Sequence, residues 1–177
     1  MTIAFLLPFF KGKTLESEFG FVNYYHSQPI NRALHTFAIP LLVFGILTMT
    51  YSIDYRLSIL FSIAYCIVVF LFDSKTALAY VLLFGTLFYL MIISSSQIRP
   101  SIFSGFVIFF FGLILQGLGH YIFQQSAPAF RSFEAIFTTP VFLMMYLITD
   151  HNSPFWKNVQ NETNKWKQIL NNEKKKY

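Results

Sequence analysis

Charged side chains are scarce in this chain: Asp, Glu, Lys and Arg make up 12% of its 177 residues, about half the share usual in a soluble domain. That scarcity excludes a protein whose whole surface is solvated. A single cysteine, Cys66, lies within an apolar run. It rules out a disulfide framework and leaves the redox compartment undecided. No glycine-rich phosphate loop, dinucleotide fingerprint, nucleophile motif or internal repeat occurs. The net charge of +5 is no nucleic-acid signature either. Six of the thirteen basic residues fall between Lys157 and Lys176 and the others sit near the ends of apolar runs, a pattern that suits anchoring beside an anionic cytoplasmic leaflet.

Apolar side chains make up 55% of the chain, in runs of roughly 16 to 20 residues, the length a helix needs to cross hydrocarbon. The fold expected is all-α: an integral membrane helical bundle of four spanning helices, an interfacial N-terminal helix and a short re-entrant or interfacial segment around Pro140. Residues 1–155 would form the membrane domain and 156–177 a polar, basic tail with Trp156 and Trp166 as interface anchors. The first ten residues, MTIAFLLPFF, lack the basic leader of a secretory signal and are expected to pack on the bundle or lie in the interface. Thr14 can cap the N-terminal helix, with Glu16 and Glu18 in its first turn. Phe21, Tyr24, Tyr25 and Gln28 would give it an aromatic face suited to the membrane interface.

The spans are expected at Ile30 to Tyr51, Leu57 to Phe72, Thr76 to Ile93 and Ile102 to about Phe123, with tight turns at Asp54 and Asp73 that force antiparallel neighbours. The fourth is the best patterned. Gly105, Gly112 and Gly119 recur every seven residues and open one face to a close neighbour, while Gln116, His120 and Gln124 form a polar ladder that should face the bundle. The run from Ala135 to Thr149, with Pro140 inside it, is short for a crossing and is expected to form a re-entrant or interfacial helix pair kinked at Pro140. A fifth span would carry the lysine-rich end to the outer side, so both termini are expected to be cytoplasmic.

Four spans bring His26, His35 and His120 to the same membrane face. Three neutral imidazoles without sulfur or carboxylate suit iron, zinc, copper or nickel and leave coordination positions open. Each could equally be a hydrogen-bonded interfacial histidine. His151, in TDHNSP, is a fourth candidate ligand. Arg32 could hold a carboxylate in a bidentate pair or mark the interface, and neighbouring Tyr25 is a second candidate for substrate contact. Asn31, Gln116 and Gln124 are candidates for the chemistry around the ligands, against the plainer reading of interhelical hydrogen bonds.

Tyr25-His26-Ser27-Gln28-Pro29-Ile30-Asn31 followed by His35-Thr36-Phe37-Ala38-Ile39-Pro40 resembles the first signature of the 2-hydroxy-fatty-acid dioxygenases of sphingoid-base breakdown. Gln116-Gly117-Leu118-Gly119-His120, Phe123 and Ala127-Pro128-Ala129 are similar to the second. The likeness covers roughly residues 15 to 150. It implies an Fe(II)-dependent membrane enzyme that shortens a 2-hydroxy fatty acid by one carbon with O2. Carried over, His26, His35 and His120 are iron ligands, with Asn31 and Gln116 nearby. Gln124 departs from the glutamate the family commonly carries there. Against this stand a zinc-dependent lipid hydrolase, a haem-binding electron carrier and a metal-free helical scaffold.

Overall fold

The computed structural model describes residues 6–95, 100–125 and 133–174. After a single 3-10 turn at Leu7–Phe9, the helices are α1 (Leu15–Tyr25), α2 (Pro29–Ile53), α3 (Tyr55–Phe72), α4 (Ser74–Ser95), α5 (Ile102–Leu118), α6 (Thr139–Ile148) and α7 (Pro154–Lys174). Two wider π-helical turns adjoin them: Gly119–Gln124 extends α5 and Glu134–Thr138 leads into α6. Helices α2, α3, α4 and the extended α5 are long and apolar enough to cross a membrane. Among the described residues there is no strand. The all-helical, four-span architecture is as expected.

Polar residues punctuate the apolar helices. Thr14 accepts a hydrogen bond from the Ser17 amide at 3.1 Å and caps α1. Glu18 is buried and its carboxylate receives the Lys11 and Gly12 amides at 2.5 and 3.2 Å, which folds the preceding segment back onto α1. Gln28 caps α2, with Pro29 at its first position. Asp54 ends α2 and begins α3, accepting from the Arg56 amide at 2.8 Å. Asp73 does the same between α3 and α4 through the amide and hydroxyl of Thr76. One-residue turns of this kind leave consecutive helices no choice but to pack antiparallel.

Helix α2 is the centre of the bundle, and its closest partner is α5. A Cβ added at Gly45 would lie 2.7 Å from the Phe109 amide and 2.8 Å from the Gly105 carbonyl; one at Gly105 would lie 2.7 Å from the Gly45 carbonyl. Backbones this close need glycine on both sides. Gly112 continues the seam against Ala38 and Leu42.

Three expectations need correcting. The polar, basic tail forms a helix, residues 154–174, along α1. Trp156 is buried and donates to the Thr149 hydroxyl at 2.7 Å, and Trp166 donates to the Ser17 carbonyl at 2.9 Å, so both indoles tie the chain to itself. Of the α1 face assigned to the interface, Phe21 is buried against Trp166 and Tyr24 and Tyr25 are half-buried, while Gln28 belongs to the cap of α2. The physical reason is shared: Trp156, Val159, Thr163 and Trp166 form an inward stripe at helical spacing, and Gly20 admits the α7 backbone at Glu162 and Thr163. The segment around Pro140 is one helix rather than a kinked pair. Pro140 follows the π-turn, and the Ile136 carbonyl four residues before it, which its missing amide cannot bond, accepts from the Tyr65 hydroxyl at 2.9 Å. Val141, Phe142 and Leu143 are buried, with Phe142 packed edge-on against Phe19 and Trp156.

Candidate metal centre

His26 ends α1, and its Nδ1–H donates to the Val22 carbonyl at 2.8 Å. His35, in the second turn of α2, bonds the Asn31 carbonyl at 3.0 Å in the same way. Each bond reaches back four residues, the natural reach of a helical side chain. A carbonyl only accepts, so each neutral ring carries its proton on Nδ1 and keeps a lone pair on Nε2. His120 comes from the opposite direction of the chain, in the π-turn that ends α5. Such turns often mark functional sites in helices.

The three rings meet. Centroids lie 4.6 Å apart for His26 and His35, 4.7 Å for His35 and His120 and 5.1 Å for His26 and His120. One potential ligand nitrogen from each lies within 4.8 Å of the others, and all three residues are buried. His26 Nε2, His120 Nδ1 and Asn31 Oδ1 are buried without a hydrogen-bond partner. Buried polar atoms are nearly always paired, so two orphan imidazole nitrogens in one cluster form a donor set that a divalent transition metal fits. Among the described residues no carboxylate or thiolate joins the group. Burial, reinforced by the neighbouring His35, holds the His26 pKa well below the ordinary imidazole value. The ring is therefore neutral at pH 7, the form that ligates.

Gly119 makes the convergence possible. A Cβ there would collide with Asn31 Oδ1 and approach His35 Nδ1 at 3.3 Å. The third glycine of the seven-residue series thus admits the polar start of α2, as the first two admit its apolar middle. Gln124 then straps the two segments together. Its carbonyl oxygen accepts from the Gln28 amide at 3.0 Å and Asn31 Nδ2 at 3.4 Å, and its Nε2 donates to the Tyr24 carbonyl at 3.3 Å and Ser27 Oγ at 3.0 Å. Only an amide can do both. Asn31 also donates to the Tyr25 carbonyl at 2.9 Å.

The remaining candidates are more dispersed. Gln116 is half-buried one turn before His120 and makes no hydrogen bond among the described residues. The Tyr25 ring packs against Phe21 and Tyr24. Arg32 supports the centre from behind, Nε donating to the His26 carbonyl at 3.1 Å and Nη2 to Asn23 Oδ1 at 3.0 Å, with its guanidinium 4.1 Å from the Tyr146 ring centre. His151 stands apart from the trio, stacked at 4.0 Å on Tyr146 and bonded to its carbonyl. Ala127, Pro128 and Ala129 lie outside the described residues. The sequence reading missed Gly45 as the counterpart of Gly105, and Tyr146 as the surface shared by Arg32 and His151. A glycine mid-span on the histidine-bearing helix was the available signal for the first; nothing in the sequence pointed to the second.

No protein-family model matches the chain, and no solved structure matches it. Among curated proteins it is similar to the 2-hydroxy-palmitic acid dioxygenase MPO1 of Saccharomyces cerevisiae, 29% identical over 140 residues that cover 73% of this chain and 77% of the yeast protein. The similarity runs along most of both chains, in line with the resemblance that the two histidine signatures carry.

Proposed function

We propose that this protein is an iron(II)-dependent dioxygenase that shortens a 2-hydroxy fatty acid by one carbon with O2, at a site held by His26, His35 and His120. The observation that carries the reading is the meeting of three buried imidazoles, two of them with an unpaired nitrogen, in a chain similar to an enzyme named for that substrate. Held there, iron(II) supplies open coordination positions and the electrons that let dioxygen react with a closed-shell substrate.

The protein's own groups prepare that chemistry. The carbonyls of Val22 and Asn31 fix the tautomers of His26 and His35, so both Nε2 lone pairs are presented without reorganisation. Asn31 Oδ1, buried and unpaired beside His35, accepts the hydrogen bond of the substrate's 2-hydroxyl and sets its orientation. Gln124 keeps Asn31 in place, and Arg32 holds the His26 backbone. Gln116, half-buried one turn before His120, is a second polar contact for the substrate head. The acyl chain lies against the apolar flanks of the spans and arrives from the bilayer. Both termini are assigned to the cytoplasmic side: the packing of α1 on α7 keeps the two ends on one face, and the lysine-rich end favours the cytoplasmic one. A reporter fused after Tyr177 is then silent in the periplasmic or luminal compartment.

Oxygen uptake and product mass test the activity together. Purified protein loaded anaerobically with iron(II) and given 2-hydroxy-palmitate consumes oxygen and yields the acid one carbon shorter, and His35→Ala lowers the rate at least about 100-fold. Turnover without oxygen, with zinc in place of iron, would identify a hydrolase instead. Equal turnover in His35→Ala would remove that residue from the site.

A further inference from the structure

Beside the histidine centre, α1, α2, α6 and the start of α7 enclose a second pocket of about 400 Å³ that the proposed reaction does not use. Its walls include Arg32, Tyr146, His151, Asn152, Lys157 and Gln160. Two fixed positive charges and a histidine thus line one space, and among the described residues no carboxylate does. Asp150, the acid next to His151 in sequence, is engaged with the Asn152 amide at 2.9 Å. Arg32 is the telling member. Its guanidinium is partly buried against the Tyr146 ring and bonded to two neutral oxygens, and no ion pair to it occurs among the described residues. A guanidinium drawn out of water without a counter-charge is unfavourable unless something supplies one, and several of its donors remain for that partner.

Position indicates what the partner is. Arg32 lies in the first turn of a spanning helix and Lys157 in the first turn of a polar one, so the pocket sits at the depth where hydrocarbon gives way to headgroups. The volume far exceeds a carboxylate, and the amides of Asn152 and Gln160 add neutral partners for hydroxyl groups. We propose that this pocket binds the phosphate-bearing headgroup of an anionic membrane lipid, with Arg32 and Lys157 on the phosphate and the amides on its alcohol. The inference is independent of the metal and of the dioxygenase reading.

Trp156 lines the pocket, and Trp166 is the one other tryptophan, so a Trp166→Phe variant reports on the pocket by fluorescence. In detergent micelles without added metal, dioleoylphosphatidylglycerol should give a saturable change in emission, dioleoylphosphatidylcholine none, and free glycerol phosphate one at least about tenfold weaker in affinity. Lys157 is exposed, so Lys157→Glu should fold normally and weaken phosphatidylglycerol binding about tenfold or more. Lys167→Glu, further along the same helix, should leave it unchanged. Native mass spectrometry of the otherwise wild-type chain, with and without Lys157→Glu, gives the same comparison without touching Trp166. An equal response to both lipids, or equal losses at Lys157 and Lys167, would overturn the site. Glycerol phosphate binding as tightly as the lipid would overturn the lipid as its occupant.

Discussion

The α2–α5 pair and the α3–α4 pair are both apolar antiparallel spans, yet they are built differently. Along α2–α5, glycines bring the backbones into contact and polar side chains gather at one end. Along α3–α4 the outward side chains, among them Leu60, Ile63, Leu78 and Leu82, are exposed apolar groups, and a methyl group added at Gly85 would meet nothing within 4 Å. The same residue type therefore carries opposite meanings in the two pairs. In the α2–α5 seam glycine is the condition for a site; at Gly85, as at Gly117 outside the seam, it faces open space, which in a bilayer is lipid. Close backbone approach fixes the spacing of α2 and α5, and that spacing is what lets imidazoles from their ends reach one another.

Substitutions at the glycines should break this contrast in graded fashion. Gly119→Val places its side chain on Asn31 and His35; iron binding and oxygen uptake should both be lost while the chain still extracts as a folded membrane protein. Gly105→Val presses on the Gly45 carbonyl and the Met49 amide, which are backbone and cannot swing aside. The expected destabilisation is about 2 to 3 kcal/mol, read by unfolding in detergent, with metal affinity reduced as the two ends separate. Gln124→Glu removes the amide that donates to the Tyr24 carbonyl and to Ser27 Oγ. Stability should fall by about 1 kcal/mol, with the metal still bound. Gly85→Ala is the control for the other pair and should be neutral or stabilising by up to about 1 kcal/mol. A Gly85→Ala variant as damaged as Gly105→Val would erase the distinction.

Much of this was legible in the sequence because membrane spans leave a coarse and strong signal. Asp54 and Asp73 punctuate runs of hydrocarbon length and turn out to cap the helices they separate. The seven-residue glycine series was readable as a packing face. Its partner was not, because Gly45 stands alone in α2 and only tertiary contact pairs it with Gly105. The histidines could be assigned to one depth but not one point: depth follows from chain direction, whereas convergence depends on how close α2 and α5 come and on the π-turn that re-aims His120. The C-terminal helix escaped for a different reason. Its lysines dominate the composition of 156–177, while the inward stripe of Trp156, Val159, Thr163 and the half-buried Trp166 occupies only one side, so composition alone disguises an amphipathic helix as a solvated tail.

The central claim is that three imidazoles grip one metal ion. X-ray absorption at the iron edge, on protein loaded anaerobically with one equivalent of iron(II), tests it most directly. Imidazole scattering from three histidines is expected in the wild type and from two in His120→Ala; a spectrum unchanged by that substitution, or one dominated by oxygen ligands with no imidazole, would contradict it.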